Sequence, residues 1–253
     1  MSGHNKWSKI KHQKGASDVK RGNLYTKLTR EIIISTREGG ADPDGNFRLR
    51  IAIQKARDAN MPMDNIDRAI KKGSGVGEGG AALAEMTLEG YGPGGIAVLV
   101  NGLSDNRNRT IQEVRSTFTR HGGSMAESGS VSWQFENKGL ITVDAENLDA
   151  DEVSLQAIDA GAEDVKAEGG VIEIYTAPTD LMKIRQALEK QNIKVAESEL
   201  QKIAKTQVKL DDKAGVQAMK LLDKLESLDD VQNVYSNADI SEAAATAYDA
   251  EAA

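Results

Sequence analysis

The chain has 253 residues and a net charge of −7, and its residues are 39% hydrophobic but only 4% aromatic, so we expect aliphatic cores. The absence of cysteine excludes disulfides, thiolate metal sites and cysteine nucleophiles. The longest apolar stretches, such as residues 96–100, are far shorter than a membrane span, and no apolar segment of a secretory signal follows the basic N-terminus. We therefore expect a soluble, cytoplasmic protein of two or three compact units.

The charges are unevenly distributed along the chain. Residues 1–73 carry 16 Lys/Arg and 8 Asp/Glu, a net charge of +8, whereas the other 180 residues carry 16 and 31, a net charge of −15. The first thirty residues alone hold eight cations and one acid. Such a separation is unfavourable within one globule but suits a protein that binds a polyanion from one end. Nucleic acid is therefore the leading partner class.

The first part of the chain is predicted to be helical. Apolar residues recur at four-residue spacing from Leu24 to Ile32, and two glycines at 39–40 end this first helix. A second helix is predicted at 46–59, and a third after Pro62. Residues 1–75 are therefore expected to form a basic three-helix domain.

A glycine-rich segment at 73–80 follows this domain. A phosphate-binding loop would need a strand before it, a helix after it and, in the Walker type, a Gly-Lys-Ser/Thr ending, and the sequence has none of these. The segment is therefore interpreted as an interdomain linker.

Beyond residue 80 the hydrophobic period becomes that of strands. The pattern predicts strands at 86–89, 96–100 and 131–135 and a helix at 105–120. From residue 140 it predicts strand, helix, strand, strand, helix and strand, with segments at 140–143, 151–160, 163–167, 171–175, 179–191 and 195–200. This second series is the split βαβ arrangement of ferredoxin-like folds.

A further strand at 207–210, helix at 213–228 and strand at 231–235 complete the interrupted first series. The predicted fold is α+β: an N-terminal three-helix domain followed by two ferredoxin-like α/β domains, one inserted into the other. The discontinuous domain comprises 80–136 and 202–237, and the insert comprises 137–201. The Ala/Glu/Asp-rich tail at 238–253 has no core pattern and is expected to be disordered.

The sequence shows no catalytic signature. Its three histidines belong to no nucleophile–base or His-Glu-x-x-His motif, and His4 with His12 lacks further metal ligands. The acidic pairs at 211–212 and 229–230 lie at helix boundaries, where capping explains them. We expect no enzyme activity, no metal or other cofactor, no small-molecule substrate and no membrane partner.

The N-terminal cations are candidates for phosphate contacts, and Trp7 between them can stack on a base or pack on the helices. The alternative for the cations is a solvated basic tail. The candidate nucleic-acid-binding residues of the whole chain are Lys6, Trp7, Lys9, Lys11, His12, Lys14, Lys20, Arg21, Lys27, Arg30, Arg107 and Arg109.

The last two candidates belong to the segment 104–110, Ser-Asp-Asn-Arg-Asn-Arg-Thr, which follows a strand and opens a helix. Ser104 or Asp105 is the predicted cap. Arginines in a first helical turn oppose the helix dipole, so another partner is expected to hold Arg107 and Arg109 there. A nucleic-acid phosphate and an ion pair with Glu89 or Glu113 are both open.

Several motifs together resemble the YebC family, which includes bacterial proteins described as probable transcriptional regulators and the mitochondrial translational activator of cytochrome c oxidase. The motifs are Gly3-His4-x-Lys6-Trp7-Ser8-x-Ile10-Lys11-His12, Lys20-Arg21-Gly22, Lys27-Leu28-x-Arg30-Glu31, Glu89-Gly-Tyr-Gly-Pro-Gly-Gly95, the segment 104–110, and Ala160-Gly-Ala-Glu-Asp164. The resemblance implies an N-terminal helical domain, two α/β domains, no cofactor and no catalysis. Members of the family are assigned both promoter-DNA binding and ribosome-associated work that aids elongation at difficult sequences such as proline runs.

Three functions remain open at this point. The chain is a DNA-binding transcriptional regulator, a ribosome-associated translation factor that contacts ribosomal RNA, or a scaffold that recruits an acidic protein partner. Because cations recognise phosphate and not the type of nucleic acid, the sequence does not separate DNA from ribosomal RNA.

Overall fold

The computed structural model describes residues 18–75, 83–145 and 148–252, and at 18–21 and 252 it describes only the backbone. The fold is α+β, as predicted, with N-terminal helices followed by two antiparallel sheets. The described residues form two compact units: a first unit of 18–30, 83–136 and 203–252, and a second unit of 31–75 and 137–202. The three domains expected from the sequence, at 1–75, at 80–136 with 202–237, and at 137–201, stay a prediction.

Helices and strands make up most of the described residues. The helices, in chain order, are α1 (Asp18–Gly39), α2 (Phe47–Asp58), α3 (Met63–Gly73), α4 (Arg107–Arg120), α5 (Ala150–Asp159), α6 (Leu181–Lys190), α7 (Asp212–Glu226) and α8 (Glu242–Ala252). The strands are β1 (Ala84–Tyr91), β2 (Ala97–Ser104), β3 (Ser124–Ala126), β4 (Phe135–Asp144), β5 (Asp164–Glu168), β6 (Val171–Thr176), β7 (Val195–Ala204), β8 (Val208–Lys209), β9 (Val231–Ser236) and β10 (Ala238–Asp239).

The turn between α1 and α2 is closed by Asn46. Its side-chain oxygen accepts a hydrogen bond from the Leu49 amide at 3.0 Å and so caps α2. Its side-chain NH2 donates to the carbonyl oxygens of Ser35 and Gly40 at 2.7 and 2.8 Å. One buried side chain therefore satisfies the end of one helix and the start of the next.

The sheet of the second unit has the strand order β5-β6-β4-β7, in which the first and third strands of the series are central, as in ferredoxin-like folds. β6 pairs antiparallel with both β4 and β5. The core between this sheet and its helices is aliphatic and includes Ile141, Val143, Ile172, Ile174, Val153, Ala157, Leu181, Ile184 and Leu188. The predicted strand–helix–strand–strand–helix–strand series is confirmed.

Within the second unit, α2 is fixed to this layer by a buried ion pair. The Arg185 side chain of α6 is only 6% exposed and donates to both carboxylate oxygens of Asp58 at 2.7 and 3.0 Å. It also donates to the Ser198 hydroxyl at 2.6 Å, and Ile51 of α2 joins the aliphatic core. The planar guanidinium suits this two-point contact, which a lysine would not reproduce.

The sheet of the first unit has the strand order β3-β1-β2-β9, with antiparallel neighbours. Its core face packs on α4 and α7 through residues that include Met86, Leu88, Val98, Val100, Val114, Phe118, Ala218 and Leu222. Gly90 lies in β1 at a point where a Cβ would come within 2.7 Å of the Phe118 ring. The glycine therefore allows α4 to approach the sheet closely.

The structure differs from the sequence prediction at several short segments, one of which is β3, an unpredicted strand that pairs with β1. The predicted strand at 131–135 begins as a turn of 3-10 helix, Ser132–Gln134, and β4 starts only at Phe135. The predicted strand at 207–210 is the two-residue β8, which pairs in parallel with β10 and not with the main sheet.

The expectation of a disordered tail at 238–253 is wrong for its described part, which forms β10 and α8. Ala244 and Tyr248 are buried in the core of the first unit. At Gly215 of α7 a Cβ would lie 2.8 Å from the Ala244 Cβ, so the two helices approach through small residues. A contact face made mainly of alanines gives little hydrophobic signal in the sequence.

We predict that Asp58→Ala destabilises the protein by about 3 kcal/mol, because the buried Arg185 guanidinium loses its two-point contact with that carboxylate and keeps, among the described residues, only the ion pair with the more exposed Glu189. The free energy of unfolding from urea denaturation, followed by circular dichroism, measures this loss. Asp67→Ala, at an exposed acidic residue of α3, is the control and is expected to change the value by less than about 0.5 kcal/mol. Equal effects of the two substitutions would contradict the role given to the ion pair.

Candidate nucleic-acid interface

The predicted binding residues fall into three groups in the structure. Lys20 and Arg21 lie in the first turn of α1, where only the backbone is described. The side chains of Lys27, Arg30, Arg107 and Arg109 are described. The remaining candidates lie outside the described residues: Lys6, Trp7, Lys9, Lys11, His12 and Lys14.

Lys27 and Arg30 lie about one turn apart on α1 and reach the turn between α7 and β9. The Lys27 Nζ donates a hydrogen bond to the carbonyl oxygen of Glu226 at 2.6 Å. The Arg30 guanidinium donates to the carbonyl oxygen of Asp229 and, at 3.1 Å, to the Asp230 carboxylate. Both cations therefore have partners inside the first unit, and they hold the N-terminal half of α1 against it.

Asp230 is the centre of this arrangement. Its side chain is 4% exposed, and one carboxylate oxygen faces Arg30. The other oxygen accepts hydrogen bonds from the Arg109 guanidinium and the Thr110 hydroxyl, both at 2.7 Å, and from the Ser104 hydroxyl at 2.9 Å. Burial raises the pKa of Asp230, but these three hydrogen bonds outweigh it and leave the pKa below its ordinary value. The carboxylate is therefore ionised at neutral pH.

The start of α4 is capped differently from the prediction. The cap is Asn106, whose side-chain oxygen accepts from the Arg109 amide at 3.1 Å, and neither Ser104 nor Asp105 has that role. The Ser104 hydroxyl instead accepts from the Asn106 amide at 2.9 Å and donates to Asp230. The hydroxyl is buried, so a carboxylate within reach is the partner it needs.

Arg109 has an ion pair, but not with the predicted Glu89 or Glu113. Its guanidinium contacts Asp230 at 2.7 Å and Asp105 at 2.9 Å. Glu89 is buried in a different part of the same unit and accepts backbone hydrogen bonds there. Asp105 lies four residues away in the sequence, but the sequence could not indicate the buried partner, because Arg109 and Asp230 are 121 residues apart.

Arg107 differs from Arg109. It is exposed and, within the part of the chain that the structure describes, has no hydrogen-bond or ion-pair partner. Arg30 and Arg109 thus both contact the Asp230 carboxylate, whereas Arg107 contacts no acidic group among the described residues. Of the two first-turn arginines of α4, only Arg107 offers an unneutralised positive charge.

The sequence did not indicate that Asp230 is a buried ion-pair partner, because capping of a helix explains the acidic pair at 229–230 equally well. That interpretation holds for the other acidic pair, since Asp211 accepts from the Ala214 amide at 2.7 Å and caps α7. The local signal at Asp230 is the same as at Asp211, an acid at a helix boundary. Only the tertiary contacts distinguish them.

The described residues provide neither a metal site nor a membrane-spanning helix. No group of three or more His, Asp or Glu side chains among them is placed to hold a metal ion. Each helix in the described part of the chain is either too short or too polar to span a lipid bilayer.

Comparisons with known proteins cover almost the whole chain. Residues 5–76 match a family model described as the TACO1/YebC protein N-terminal domain, and residues 83–238 match one described as the TACO1/YebC second and third domain. A probable transcriptional regulatory protein of Dehalococcoides mccartyi is 59% identical over 100% of both chains. One from Geotalea uraniireducens is 54% identical over 96% of this chain and 97% of its own.

A solved structure is also similar. The crystal structure of a conserved hypothetical protein from Aquifex aeolicus has a TM-score of 0.84 and 46% sequence identity, and the match covers 92% of this chain and 96% of that chain. This level of similarity supports the same fold along nearly the whole sequence.

The lowered pKa of Asp230 predicts a pH dependence of stability. A carboxylate whose pKa is lower in the folded state contributes stability above its unfolded pKa, and this contribution is lost as the pH falls through the folded pKa. We therefore expect the thermal midpoint of the wild type to fall from about pH 4 downward, and that of Asp230→Asn to fall less over the same range. Parallel curves for the two proteins would contradict the assignment.

Proposed function

The chain belongs to the TACO1/YebC family, and we propose that it is a non-enzymatic, nucleic-acid-binding regulator of gene expression, in the first instance a DNA-binding transcriptional regulator. The observation that carries this proposal is that the first thirty residues hold eight Lys/Arg and one acidic residue, whereas the rest of the chain is acidic. The names of the relatives, probable transcriptional regulatory proteins, support a regulatory role.

The contacts divide the predicted cations into two groups. Lys27, Arg30 and Arg109 pair with groups of the first unit, so we assign them to positioning α1 and α4. Phosphate contacts are assigned to the cations that precede them, Lys6, Lys9, Lys11, Lys14, Lys20 and Arg21, with His12 and Trp7 among them and Arg107 as a separate contact. A binding site of this kind neutralises the backbone and reads little sequence.

A second candidate function is a ribosome-associated translation factor, in which the same cations contact ribosomal RNA. The observation that favours it is the net charge of −15 beyond residue 73, since a ribosome presents basic proteins beside its RNA phosphates. Duplex DNA offers no such partner for an acidic surface.

The phosphate-contact proposal predicts that Lys9→Glu/Lys11→Glu/Lys14→Glu abolishes binding to duplex DNA and to duplex RNA alike. If six wild-type cations contact duplex phosphates, log K falls with log salt at a slope of about −5, which fluorescence anisotropy between 50 and 300 mM salt measures. The matched control is Lys183→Glu/Lys190→Glu/Lys194→Glu, at three exposed lysines of the second unit, and we expect it to bind as the wild type does. Wild-type affinity of the N-terminal variant would contradict the proposal.

Two further measurements separate the candidates. A sequence-specific transcriptional regulator needs base contacts in addition to the N-terminal cations and is expected to bind its promoter at least tenfold more tightly than random duplex at physiological salt, and equal affinities would contradict that role. A translation factor is expected to sediment with ribosomes at low salt, and its absence from the ribosomal fractions would remove that candidate. Complexes that persist after nuclease treatment would favour the third possibility, an acidic protein partner.

A further inference from the structure

Trp133 is unusually exposed for a tryptophan. Its side chain is 67% exposed, and it lies in the segment 127–134 that joins β3 to β4 in the first unit. A large aromatic ring left in water loses the stabilisation that burial would give it. The neighbouring contacts show that its position is nevertheless fixed.

The segment is held by the buried carboxylate of Glu89. One oxygen of Glu89 accepts from the Gly129 amide at 2.8 Å, and the other accepts from the amides of Val131 and Ser132 at 2.6 and 2.9 Å. Burial raises the pKa of Glu89, but these backbone hydrogen bonds outweigh it and the pKa lies below its ordinary value. An ionised side chain thus fixes three points of the segment just before Trp133.

Trp133 and Tyr91 meet at one backbone oxygen. The Trp133 ring N–H donates to the carbonyl oxygen of Ser130 at 3.1 Å, and the Tyr91 hydroxyl donates to the same oxygen at 3.3 Å. Tyr91 is 39% exposed. Because both polar atoms are already hydrogen-bonded inside the protein, the parts of these two rings that remain for a ligand are their aromatic surfaces.

A cation lies beside the pair. The Lys205 Nζ donates to the Trp133 carbonyl oxygen at 2.8 Å, and the Lys205 amide donates to that of Gln134 at 2.8 Å. Lys205 is exposed, so its ammonium can contact a phosphate next to a stacked base.

The pair lies on the face of the sheet opposite α4 and α7. Side chains alternate along β1, so Met86 and Leu88 enter the helix-facing core while Glu89 and Tyr91 lie on the other face. A second apolar cluster supports that face and consists of Ala97, Leu99, Val131, Phe135 and Tyr235. Because that cluster is buried, the aromatic surface open to a ligand on this side of the unit is that of Trp133 and Tyr91.

We propose that Trp133 and Tyr91 form a stacking surface for unpaired nucleobases, so that the first unit binds a single-stranded segment of nucleic acid. The inference rests on the proposed function, because it takes nucleic acid as the ligand. It adds that the nucleic acid bound at this surface is single-stranded. A base offers a π-face to each ring whatever its sequence, whereas the bases of a duplex are stacked on one another and cannot lie on the rings. A proline-rich peptide also stacks on aromatic side chains and is tested as the competing ligand.

The test uses the full-length chain. In a Trp7→Phe background, Trp133 is the only remaining tryptophan, and its fluorescence reports directly on stacking. The probes at 150 mM salt are a twelve-nucleotide oligouridine, an abasic twelve-mer of equal charge, a twelve-base-pair duplex and a proline decamer. We expect quenching by oligouridine and none by the abasic strand, the duplex or the peptide.

Affinity measurements on variants complete the test. Trp133→Ala is expected to weaken oligouridine binding about tenfold and to change duplex binding by less than about twofold, while Trp133→Phe restores part of the loss. Leu155→Ala, which truncates a side chain that is 62% exposed in the second unit, is the matched control and is expected to have no effect. Circular dichroism and thermal midpoints verify that each variant folds.

The outcomes are distinct. Unchanged oligouridine affinity in Trp133→Ala together with no quenching would overturn the stacking surface, even where binding through the N-terminal cations persists. Quenching by the proline peptide and not by oligouridine would overturn it in favour of a peptide ligand. If Lys9→Glu/Lys11→Glu/Lys14→Glu binds duplex as the wild type does, the proposed phosphate contacts are contradicted. If oligouridine still quenches Trp133 fluorescence in that case, the stacking surface is supported.

Discussion

The buried carboxylate of Asp230 is the interaction on which the arrangement of the first unit depends. An ionised carboxylate removed from water is strongly destabilising unless it is paired and hydrogen-bonded, and in this unit Arg30, Arg109 and two hydroxyls supply the compensation. The same contacts orient the N-terminal half of α1 and the first turn of α4. Two arginines that look like ligand-binding residues in the sequence therefore act within the fold, and the turn of α1 that carries Lys20 and Arg21 belongs to a helix with a fixed position in the unit.

Glu89 repeats this principle at a second place in the unit. Asp230 is satisfied mainly by side chains and Glu89 mainly by backbone amides, yet hydrogen bonding holds the pKa of each carboxylate below its ordinary value despite burial. Part of the acidity of the chain is thus structural and unavailable to outside partners. What these two carboxylates position, a basic helix and an exposed aromatic pair, matches the two kinds of contact that nucleic acids offer, phosphate and base.

The sequence predicted what local periodicity determines. The α+β class, the helices and the ferredoxin-like series of the second unit follow from apolar spacing, and Asp211 caps its helix as its position at a helix boundary suggested. The sequence did not predict what depends on contacts between distant residues. Asp230 meets Arg109 across 121 residues. The segment 131–135, which alternates like a strand in the sequence, begins as a turn whose amides donate hydrogen bonds to Glu89. The C-terminal helix was missed because its buried face is mainly alanine, which has little hydrophobic signal without the small residues of α7 beside it.

If the N-terminal cations bind nucleic acid while the sheet of the first unit binds unpaired bases, both contacts form in one complex. Photo-crosslinking of the full-length protein to a duplex with a single-stranded overhang, followed by mass spectrometry of the crosslinked peptides, tests both parts at once. We predict crosslinks within residues 1–30 to the duplex and at Trp133 or Tyr91 to the overhang. Crosslinks confined to residues 137–202, or a complex with none in residues 1–30, would contradict this assignment.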